Sequence, residues 1–471
     1  MRDARPSSGW RKIVPHRLRN FSRPLILPDP KCVEPALSLA AIWRDLAAFT
    51  RDTAQVGQIG ANAGEGKDDV IAALFEKETH TMNVQFQPQF RTAEGRLPFE
   101  CIALVLQGGG ALGAYQAGVY EALAEANINP DWVAGVSIGA VNSAIIAGNE
   151  PAERVGKLRT FWQEITANPL LDWAAAADAL TPKGSLPRAL FNQLSATYAL
   201  FAGASGFFTL RQPAPWLYPH GALEATSFYE TKLLKSTLER LVDFDRINAG
   251  QMRFSVGAVN VRTGNFVYFD NEKHTIRPEH VMASGSLPPG FPAVEVEGEF
   301  YWDGGLVSNT PLHWVIEQGP RQDTLAFQVD LWSARGELPG NVAEVVMRQK
   351  EIQYSSRTRA NTDHFKQNQR ARKTLASLLS KLPSDLFAGE EARMLSSIAD
   401  NKVYNLVQLI YRSKHYEGDS KDYEFSRLSM EEHWRAGYHD AVRTLRHPEA
   451  LQRPRNQEGV STFDLAVDGR D

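Results

Sequence analysis

The chain has 471 residues, enough for one large domain with extensions or for about two or three smaller domains. Apolar residues make up 43% of it and charged residues 23%, a balance that is ordinary for a globular protein and excludes wholesale disorder. The formal net charge is −4 and there are two cysteines, which excludes nucleic-acid binding by bulk charge, a disulfide framework and a cysteine-rich zinc site.

Residues 1–97 are predicted to form an extension that precedes the folded core. Residues 1–24 carry seven Lys or Arg and one acid, but only three apolar residues follow before Pro28, too few for a secretory signal peptide. Two interpretations stay open for this basic segment: a tail without fixed structure, or a tether to a membrane surface. Residues 33–52 have the apolar spacing of an amphipathic helix, and a polar, glycine-rich linker follows at 55–69.

Residues 98–340 alternate short apolar strands with helical segments. The strand 102–106 leads into a glycine loop and a helix, and the strand 132–136 is followed by a tight turn and a second helix. This strand–helix–strand spacing predicts parallel pairing with a right-handed crossover. Further predicted strands are a hairpin of 253–261 with 265–269, and segments 300–302 and 325–331. We therefore predict an α/β fold with a mainly parallel central sheet flanked by helices.

Two segments fall outside this alternation. Residues 186–221 interrupt it with a stretch, 200–210, that is apolar, interrupted by glycine and without a clear period, which favours a lid or pocket wall; a surface loop packed on its own aromatic side chains is the alternative. Residues 341–471 are predicted to be a mostly helical C-terminal extension, with a strand at 403–411 and a helix opened by a capping box at Ser429. Its first part, 341–381, carries nine Lys or Arg and three acids, either as a solvated face or as a membrane contact.

The strongest chemical signal is the sequence Gly-Val-Ser-Ile-Gly at 135–139. An apolar strand precedes this G-x-S-x-G pattern and a helix follows, as in a nucleophile elbow, where a serine lies on a tight strand-to-helix turn. The glycines permit the strained turn, and the dipole of the following helix stabilises negative charge at the serine. Ser137 is therefore a candidate nucleophile, with a glycine-rich turn and a capping serine as the alternative.

Three consecutive glycines follow the first strand and open a helix. Gly108, Gly110 and Gly113 fit a dinucleotide-binding fingerprint, but the acid that this fingerprint needs after the second strand is missing, since Asp131 precedes that strand. The other interpretation is a cradle of backbone N–H groups that holds an oxyanion. Ser137, at the end of the neighbouring strand, favours this second interpretation.

A third motif, Asp303 followed by two glycines, ends a later strand and can present a carboxylate without obstruction. The three motifs, in this order across residues 101–305, resemble the patatin-like phospholipase family, with its G-G-G-x-[RK]-G loop, G-x-S-x-G turn and D-G-[GA] motif. The stretch 283–292 is also similar to the family's approach to the aspartate strand. The C-terminal zone is similar to an extension found on a bacterial subgroup.

The resemblance implies that Ser137 is the nucleophile and Asp303 its base, in a dyad without histidine. It also implies that Gly108, Gly109 and Gly110 supply the N–H groups of the oxyanion hole. Leu112 departs from the pattern, because most members carry Arg or Lys at that position. A carboxylate is a weak base near its usual pKa of about 4, so we expect Asp303 to be partly desolvated, which raises that pKa.

By the same resemblance, the protein is expected to hydrolyse carboxylic esters of lipids without a metal or cofactor. Phospholipids, lysophospholipids and acylglycerols all stay open as substrates. The expected setting is cytoplasmic, with peripheral contact to an anionic membrane or lipid granule, and no transmembrane helix is expected. Two alternatives remain: a Ser-His-Asp esterase, since His313 after Asp303 satisfies the required order, and a non-catalytic lipid-binding protein that retained the motifs.

Overall fold

The computed structural model describes residues 97–167, 184–318, 320–355, 358–383, 387, 389–414 and 416–465. The predictions for the basic tail, the amphipathic helix and the linker lie outside these residues. Within them, no helix is both long enough and apolar enough to span a bilayer.

Strands and helices alternate along most of the described chain. The strands are β1 Cys101–Leu106, β2 Trp132–Val136, β3 Thr209–Leu210, β4 Tyr229–Glu230, β5 Arg253–Asn260, β6 Phe266–Asp270, β7 Val294–Val296, β8 Glu299–Asp303, β9 Thr324–Asp330, β10 Tyr404–Ile410 and β11 Val460–Phe463. The helices are α1 Ala114–Glu125, α2 Ile138–Ala147, α3 Arg154–Ile165, α4 Ser185–Ala202, α5 Lys232–Leu241, α6 Phe244–Asn248, α7 Pro278–Ser284, α8 Leu312–Glu317, α9 Val342–Tyr354, α10 Thr358–Leu379, α11 Glu390–Ile398 and α12 Arg427–Leu445.

A mainly parallel sheet forms the centre of this structure, in the strand order β11-β10-β9-β1-β2-β5-β8-β7. The strands from β11 to β5 in this order run parallel to one another. The strands β6, β7 and β8 add antiparallel pairings beyond β5. The predicted α/β fold with a mainly parallel sheet is confirmed, as are the predicted hairpin and the strands that became β8 and β9.

The central strand β1 shows why the sheet must be covered on both faces. All six of its side chains are buried and apolar, which is typical of a parallel strand with helices on either side. Ile102 and Leu104 belong to one hydrophobic cluster, whereas Ala103 and Val105 belong to the other. Because successive side chains point to opposite faces of a strand, the two clusters lie on opposite sides of the sheet.

The C-terminal region continues the same sheet. Strand β10 pairs with β9 from Tyr404 opposite Thr324 to Ile410 opposite Asp330, and β11 pairs with β10. The predicted division between 340 and 341 therefore does not separate two compact bodies among the described residues. The helix predicted to open at Ser429 begins at Arg427 instead, because the Ser426 hydroxyl is the group that accepts the Ser429 N–H, at 3.2 Å.

Helix α12 of this region packs closely against α1, the helix that follows the glycine loop. A Cβ atom on Gly437 would lie 2.0 Å from the backbone oxygen of Tyr115, and one on Gly118 would lie 1.9 Å from the backbone oxygen of Trp434. Each glycine thus allows the backbone of the partner helix to approach. This contact fixes the C-terminal region to the part of the fold that carries the motifs.

We expect Gly437→Ala to lower the free energy of unfolding by about 1–3 kcal/mol or more, because the added methyl group must push α12 away from α1. The matched control is Gly156→Ala in α3, where an added Cβ meets nothing within 4 Å. That change should raise stability by up to about 1 kcal/mol, since alanine is the better helix former. Denaturant unfolding of the two variants measures both effects; equal stability of both would contradict the packing argument.

Candidate active site

Ser137 lies on the turn between β2 and α2, with φ 57° and ψ −126°, a conformation that is rare for a residue with a side chain. Two glycines make the turn sterically feasible. A Cβ on Gly135 would lie 2.3 Å from the Gly139 oxygen, and one on Gly139 would lie 2.3 Å from the Leu106 oxygen. The serine N–H donates to the backbone oxygen of Ser284 at 3.1 Å, which holds the turn from the other side.

Asp303 ends β8, and strand β5 lies between β8 and the strand that leads to Ser137. Val136 is paired with Gly257 of β5, and the next residue, Ala258, is paired with Asp303. The two candidate residues therefore emerge at the same level of the sheet, two strands apart. Their side chains lie close enough for the Ser137 hydroxyl to lower the pKa of the Asp303 carboxyl group.

The carboxyl group of Asp303 is almost completely buried, with 2% of the residue exposed. Burial raises its pKa to about 7, although the nearby Ser137 hydroxyl and the hydrogen bond from the Gly305 N–H, at 2.7 Å, favour the ionised form. The expectation of a desolvated aspartate therefore agrees with this environment. A carboxylate with such a pKa is matched to proton transfer near neutral pH.

The glycine loop connects β1 to a 3-10 turn at Gly110–Gly113. Of the three predicted oxyanion donors, Gly108 already donates its N–H to the backbone oxygen of Asn309, at 3.2 Å. For the N–H groups of Gly109 and Gly110, no acceptor is found among the described residues. Gly110 has φ +56°, and a Cβ there would lie 2.1 Å from the backbone oxygen of Asp422, so glycine is required. The loop leaves two donors for an anion, and Gly108 anchors it.

The serine, the aspartate and the glycine loop line one cavity of about 320 Å³. Most of its wall is apolar. The apolar wall includes Leu200, Phe207, Phe208, Leu234, Leu287, Phe291 and Phe425. The prediction that residues 186–221 supply a pocket wall agrees with this lining, although 185–202 form a helix that the sequence pattern does not indicate.

His313, the histidine considered for a triad, lies exposed on α8. No histidine lines the cavity within the described part of the chain. The side chain that meets Ser137 is instead the Asp303 carboxylate. This arrangement places a serine hydroxyl, a carboxyl group and two N–H groups that have no acceptor among the described residues around an apolar cavity.

Comparison with protein families agrees with the geometry. Residues 104–316 match a family model described as patatin-like phospholipase, and residues 352–457 match a second model described as patatin phospholipase. The chain belongs to the patatin-like phospholipase family. The second match shows that the C-terminal region is also a recurrent patatin feature, which agrees with its place in the sheet.

Individual relatives of this patatin-like chain match over short stretches. Lysophospholipase nte1 of Aspergillus terreus is 43% identical over 74 residues, 16% of this chain and 5% of that protein. Lysophospholipase NTE1 of Phaeosphaeria nodorum is 35% identical over 141 residues, 28% of this chain and 9% of that protein. A patatin-like phospholipase domain-containing protein of Caenorhabditis elegans is 34% identical over 89 residues, 19% of this chain and 8% of that protein. The chain thus spans less than a tenth of the length of each of these curated relatives.

Among solved structures, the chain is similar to VipD from Legionella pneumophila, with 15% sequence identity and a TM-score of 0.35. The alignment covers 83% of this chain and 78% of the VipD chain.

Several residues that the motifs do not reveal hold the glycine loop of this patatin-like domain. The Gly108 oxygen accepts hydrogen bonds from Asn309 Nδ2 and Trp332 Nε1, both at 3.0 Å. Asn309 Nδ2 also donates to the backbone oxygen of Tyr354, at 2.8 Å. The Ala111 N–H donates to the Asp422 backbone oxygen at 2.9 Å. Tyr354 and Asp422 belong to the C-terminal region, so this region supports the loop directly.

Leu112, the departure from the family pattern, is completely buried in the main hydrophobic cluster. Two lysines of the C-terminal region instead form ion pairs beside the segment that holds the glycine loop. Lys350 forms an ion pair with Asp422 at 2.6 Å, and the buried Lys421 forms one with Glu351 at 2.8 Å. These pairs join α9 to the segment whose backbone oxygen holds the glycine loop.

Proposed function

We propose that this chain is a serine acyl hydrolase that cleaves carboxylic esters of lipids. The observation that carries the proposal is that Ser137, the buried Asp303 and the glycine loop line one mostly apolar cavity. The family membership of the chain supports the same reaction class. Phospholipids, lysophospholipids and acylglycerols are the candidate substrates.

In the first half of the reaction, Ser137 Oγ attacks the ester carbonyl while its proton passes to the Asp303 carboxylate. The carbonyl oxygen becomes an oxyanion as the tetrahedral intermediate forms. Collapse of the intermediate breaks the ester bond, and the departing alcohol takes the proton from Asp303. The acyl chain is left on Ser137 as an ester.

In the second half, water attacks the acyl-enzyme and gives a proton to Asp303. The tetrahedral intermediate then releases the fatty acid, and the Ser137 oxygen regains its proton from Asp303. One carboxyl group thus acts as base and acid in turn, which requires a pKa near the working pH. The raised pKa of about 7 supports this role for Asp303.

The oxyanion is stabilised, in this proposal, by the N–H groups of Gly109 and Gly110. The Gly108 N–H donates to Asn309, so we assign Gly108 an anchoring role. Preorganised N–H donors in a site with little water stabilise developing negative charge strongly, often by about 3–4 kcal/mol for a single donor. The hydrogen bonds that hold the loop supply this preorganisation.

The cavity favours an acyl chain as the group bound next to Ser137. Its aromatic residues Phe207, Phe208, Phe291 and Phe425 have ring centroids 5.3 to 6.1 Å apart in the contacting pairs. Transfer of each methylene from water to such a wall contributes about 0.8 kcal/mol. A volume of about 320 Å³ is near the low end of the roughly 300–1,000 Å³ typical of ligand pockets. This size supports one acyl chain at a time.

A fluorophosphonate probe and a panel of lipid esters test the proposal together. We expect the probe to label Ser137, as located by peptide mass spectrometry, because only an activated serine reacts with it. We also expect fatty acid to be released from at least one of a diacyl phospholipid, a lysophospholipid and an acylglycerol. A chain that binds these lipids but neither reacts with the probe nor releases fatty acid is the non-catalytic lipid-binding protein, and the proposal is then wrong.

A further inference from the structure

Helix α4 lies at the protein surface, but several of its polar side chains are buried and several of its apolar side chains are exposed. Arg188, Asn192 and Ser195 are 5%, 2% and 2% exposed, so polar side chains face the protein. In contrast, Leu186 and Leu190 are 82% and 65% exposed. A surface helix ordinarily buries its apolar stripe and exposes its polar residues.

The exposed leucines form one continuous face. Leu186, Leu190 and Leu194 are spaced by four residues, and Leu200 and Phe201 fall on the same side at 100° per residue. All five side chains are at least 39% exposed. We name these five residues the α4 apolar face. The only charged residue of α4, Arg188, is buried on the opposite side and pairs with Glu432, so the face itself carries no charge.

This face adjoins the cavity of the candidate active site. Ala199 and Leu200, in the last turn of the helix, line the cavity that contains Ser137. The backbone oxygen of Leu200 also accepts a hydrogen bond from Tyr229, another residue of the cavity wall, at 2.9 Å. One helix therefore provides both a wall of the cavity and an uncharged apolar surface beside it.

We propose that the α4 apolar face inserts into the surface of a lipid membrane and brings the active-site cavity against it. The proposal rests on the proposed function in one respect, namely that the ligand of the cavity is a lipid. An exposed apolar surface of this kind is unfavourable in water and stable at the boundary between headgroups and acyl chains. Its continuity with the cavity gives a substrate acyl chain a path from the membrane that avoids water.

A second copy of the chain is a weaker occupant. At 1.5 Å per residue, the 18 residues of α4 give a face about 27 Å long and about 10 Å wide, or about 270 Å². A stable protein interface buries about 800 Å² on each partner. Insertion into a lipid surface requires no such minimum area, because the acyl region that the face enters is apolar throughout.

The absence of charge on the face predicts that insertion does not depend on anionic lipid or on salt. Electrostatic attraction between basic segments and an anionic membrane weakens as salt screens it. Transfer of leucine side chains into the membrane is insensitive to such screening. The two mechanisms are therefore separable with uncharged vesicles.

The experiment measures co-sedimentation of the full chain with phosphatidylcholine vesicles at about 0.1 M and about 1 M salt. The Ser137→Ala change is present throughout, so that no lipid is hydrolysed and the result does not depend on the reaction. The test variant adds Leu190→Gln and Leu194→Gln, which keep helix propensity but remove the apolar groups. Neither residue lines the cavity. The control adds Leu338→Gln and Leu378→Gln, two leucines 95% and 58% exposed elsewhere on the surface.

We expect the parent chain and the control to have equal partition coefficients at both salt concentrations. The partition coefficient of the test variant should be lower by about tenfold or more. The same pair of leucine changes in a chain with Ser137 intact should leave hydrolysis of a short, water-soluble ester unchanged and slow hydrolysis in vesicles. Unchanged partition of the test variant, no partition of the parent chain, or partition lost at high salt would overturn the proposal.

Two further outcomes identify another occupant and also overturn the proposal. If sedimentation equilibrium shows a dimer that the leucine changes dissociate, while vesicle partition is kept, the face binds a second copy. If the changes lower the melting temperature by several degrees, the face is packed against another part of the chain, because changes at exposed positions leave stability nearly unchanged.

Discussion

Replacement of Ser137 by alanine is expected to reduce ester hydrolysis to below about a hundredth of the wild-type rate. In the proposed mechanism, the oxygen of this hydroxyl group forms the acyl-enzyme, so its removal leaves no nucleophile for the first step. The backbone conformation, with φ 57°, is imposed by the strand and helix on either side and does not depend on the hydroxyl. The fold should therefore survive, and labelling by a fluorophosphonate should be lost.

Ser143→Ala is the matched control for this change. Ser143 is a buried serine on α2, the helix that follows Ser137, and its hydroxyl has no hydrogen-bond partner among the described residues. Its loss should leave activity within about twofold of wild type and stability unchanged or slightly higher, because an unsatisfied buried polar group is removed. Turnover by Ser137→Ala comparable to that of the control would exclude Ser137 as the nucleophile.

The parallel part of the sheet follows from local sequence patterns, since the strand before Ser137 is a short apolar run ended by a glycine-rich turn. Strand β8, which carries Asp303, pairs antiparallel with β5, so the register of that pairing brings Asp303 to the level of Ser137. Although 166 positions separate the two residues in the sequence, the register through Gly257 and Ala258 places them together. The fold class and the motif positions were therefore predictable without knowledge of the loops between them.

The support of the glycine loop was not predictable in the same way. Tyr354 and Asp422 act on the loop through backbone oxygens, and every residue type carries such an oxygen. Asn309 lies six residues after Asp303, where the side-chain type alone does not reveal its bond to Gly108. Helix α4 was not predicted, and its exposed leucines and buried polar residues are the reverse of the usual pattern of a surface helix.

The C-terminal region has a more direct part in the candidate site than a mostly helical extension suggests. It contributes two strands to the central sheet, residues such as Tyr423 and Phe425 to the cavity wall, and the Asp422 oxygen that accepts the Ala111 N–H. The ion pairs Lys350–Asp422 and Lys421–Glu351 tie these contributions together. The shape of the cavity and the orientation of the glycine loop therefore depend on this region.

Replacement of Asp303 by asparagine is expected to lower kcat by about a thousandfold or more with little change in KM. A carboxamide has nearly the same shape and still accepts the Gly305 N–H, but it cannot take the proton of Ser137 at neutral pH. The wild-type enzyme should gain about tenfold in kcat/KM per pH unit up to about pH 7 and level off above it, because only the ionised Asp303 acts as base. The variant should show no such rise, and His313→Ala should behave as wild type in both respects.

The Asp303→Asn change should keep or raise the stability of the fold, although it removes activity. This difference separates a catalytic role of Asp303 from a structural one. The folded protein keeps the Asp303 proton up to about pH 7, whereas the unfolded chain loses it near pH 4. Between these values the folded state binds more protons, so this group lowers the free energy of unfolding as pH rises. Since asparagine does not ionise, the Asp303→Asn variant should melt at or above the wild-type temperature at pH 8, while its turnover is lost. If its melting temperature falls together with activity, or if His313→Ala is the damaging change, the Ser137–Asp303 dyad is wrong.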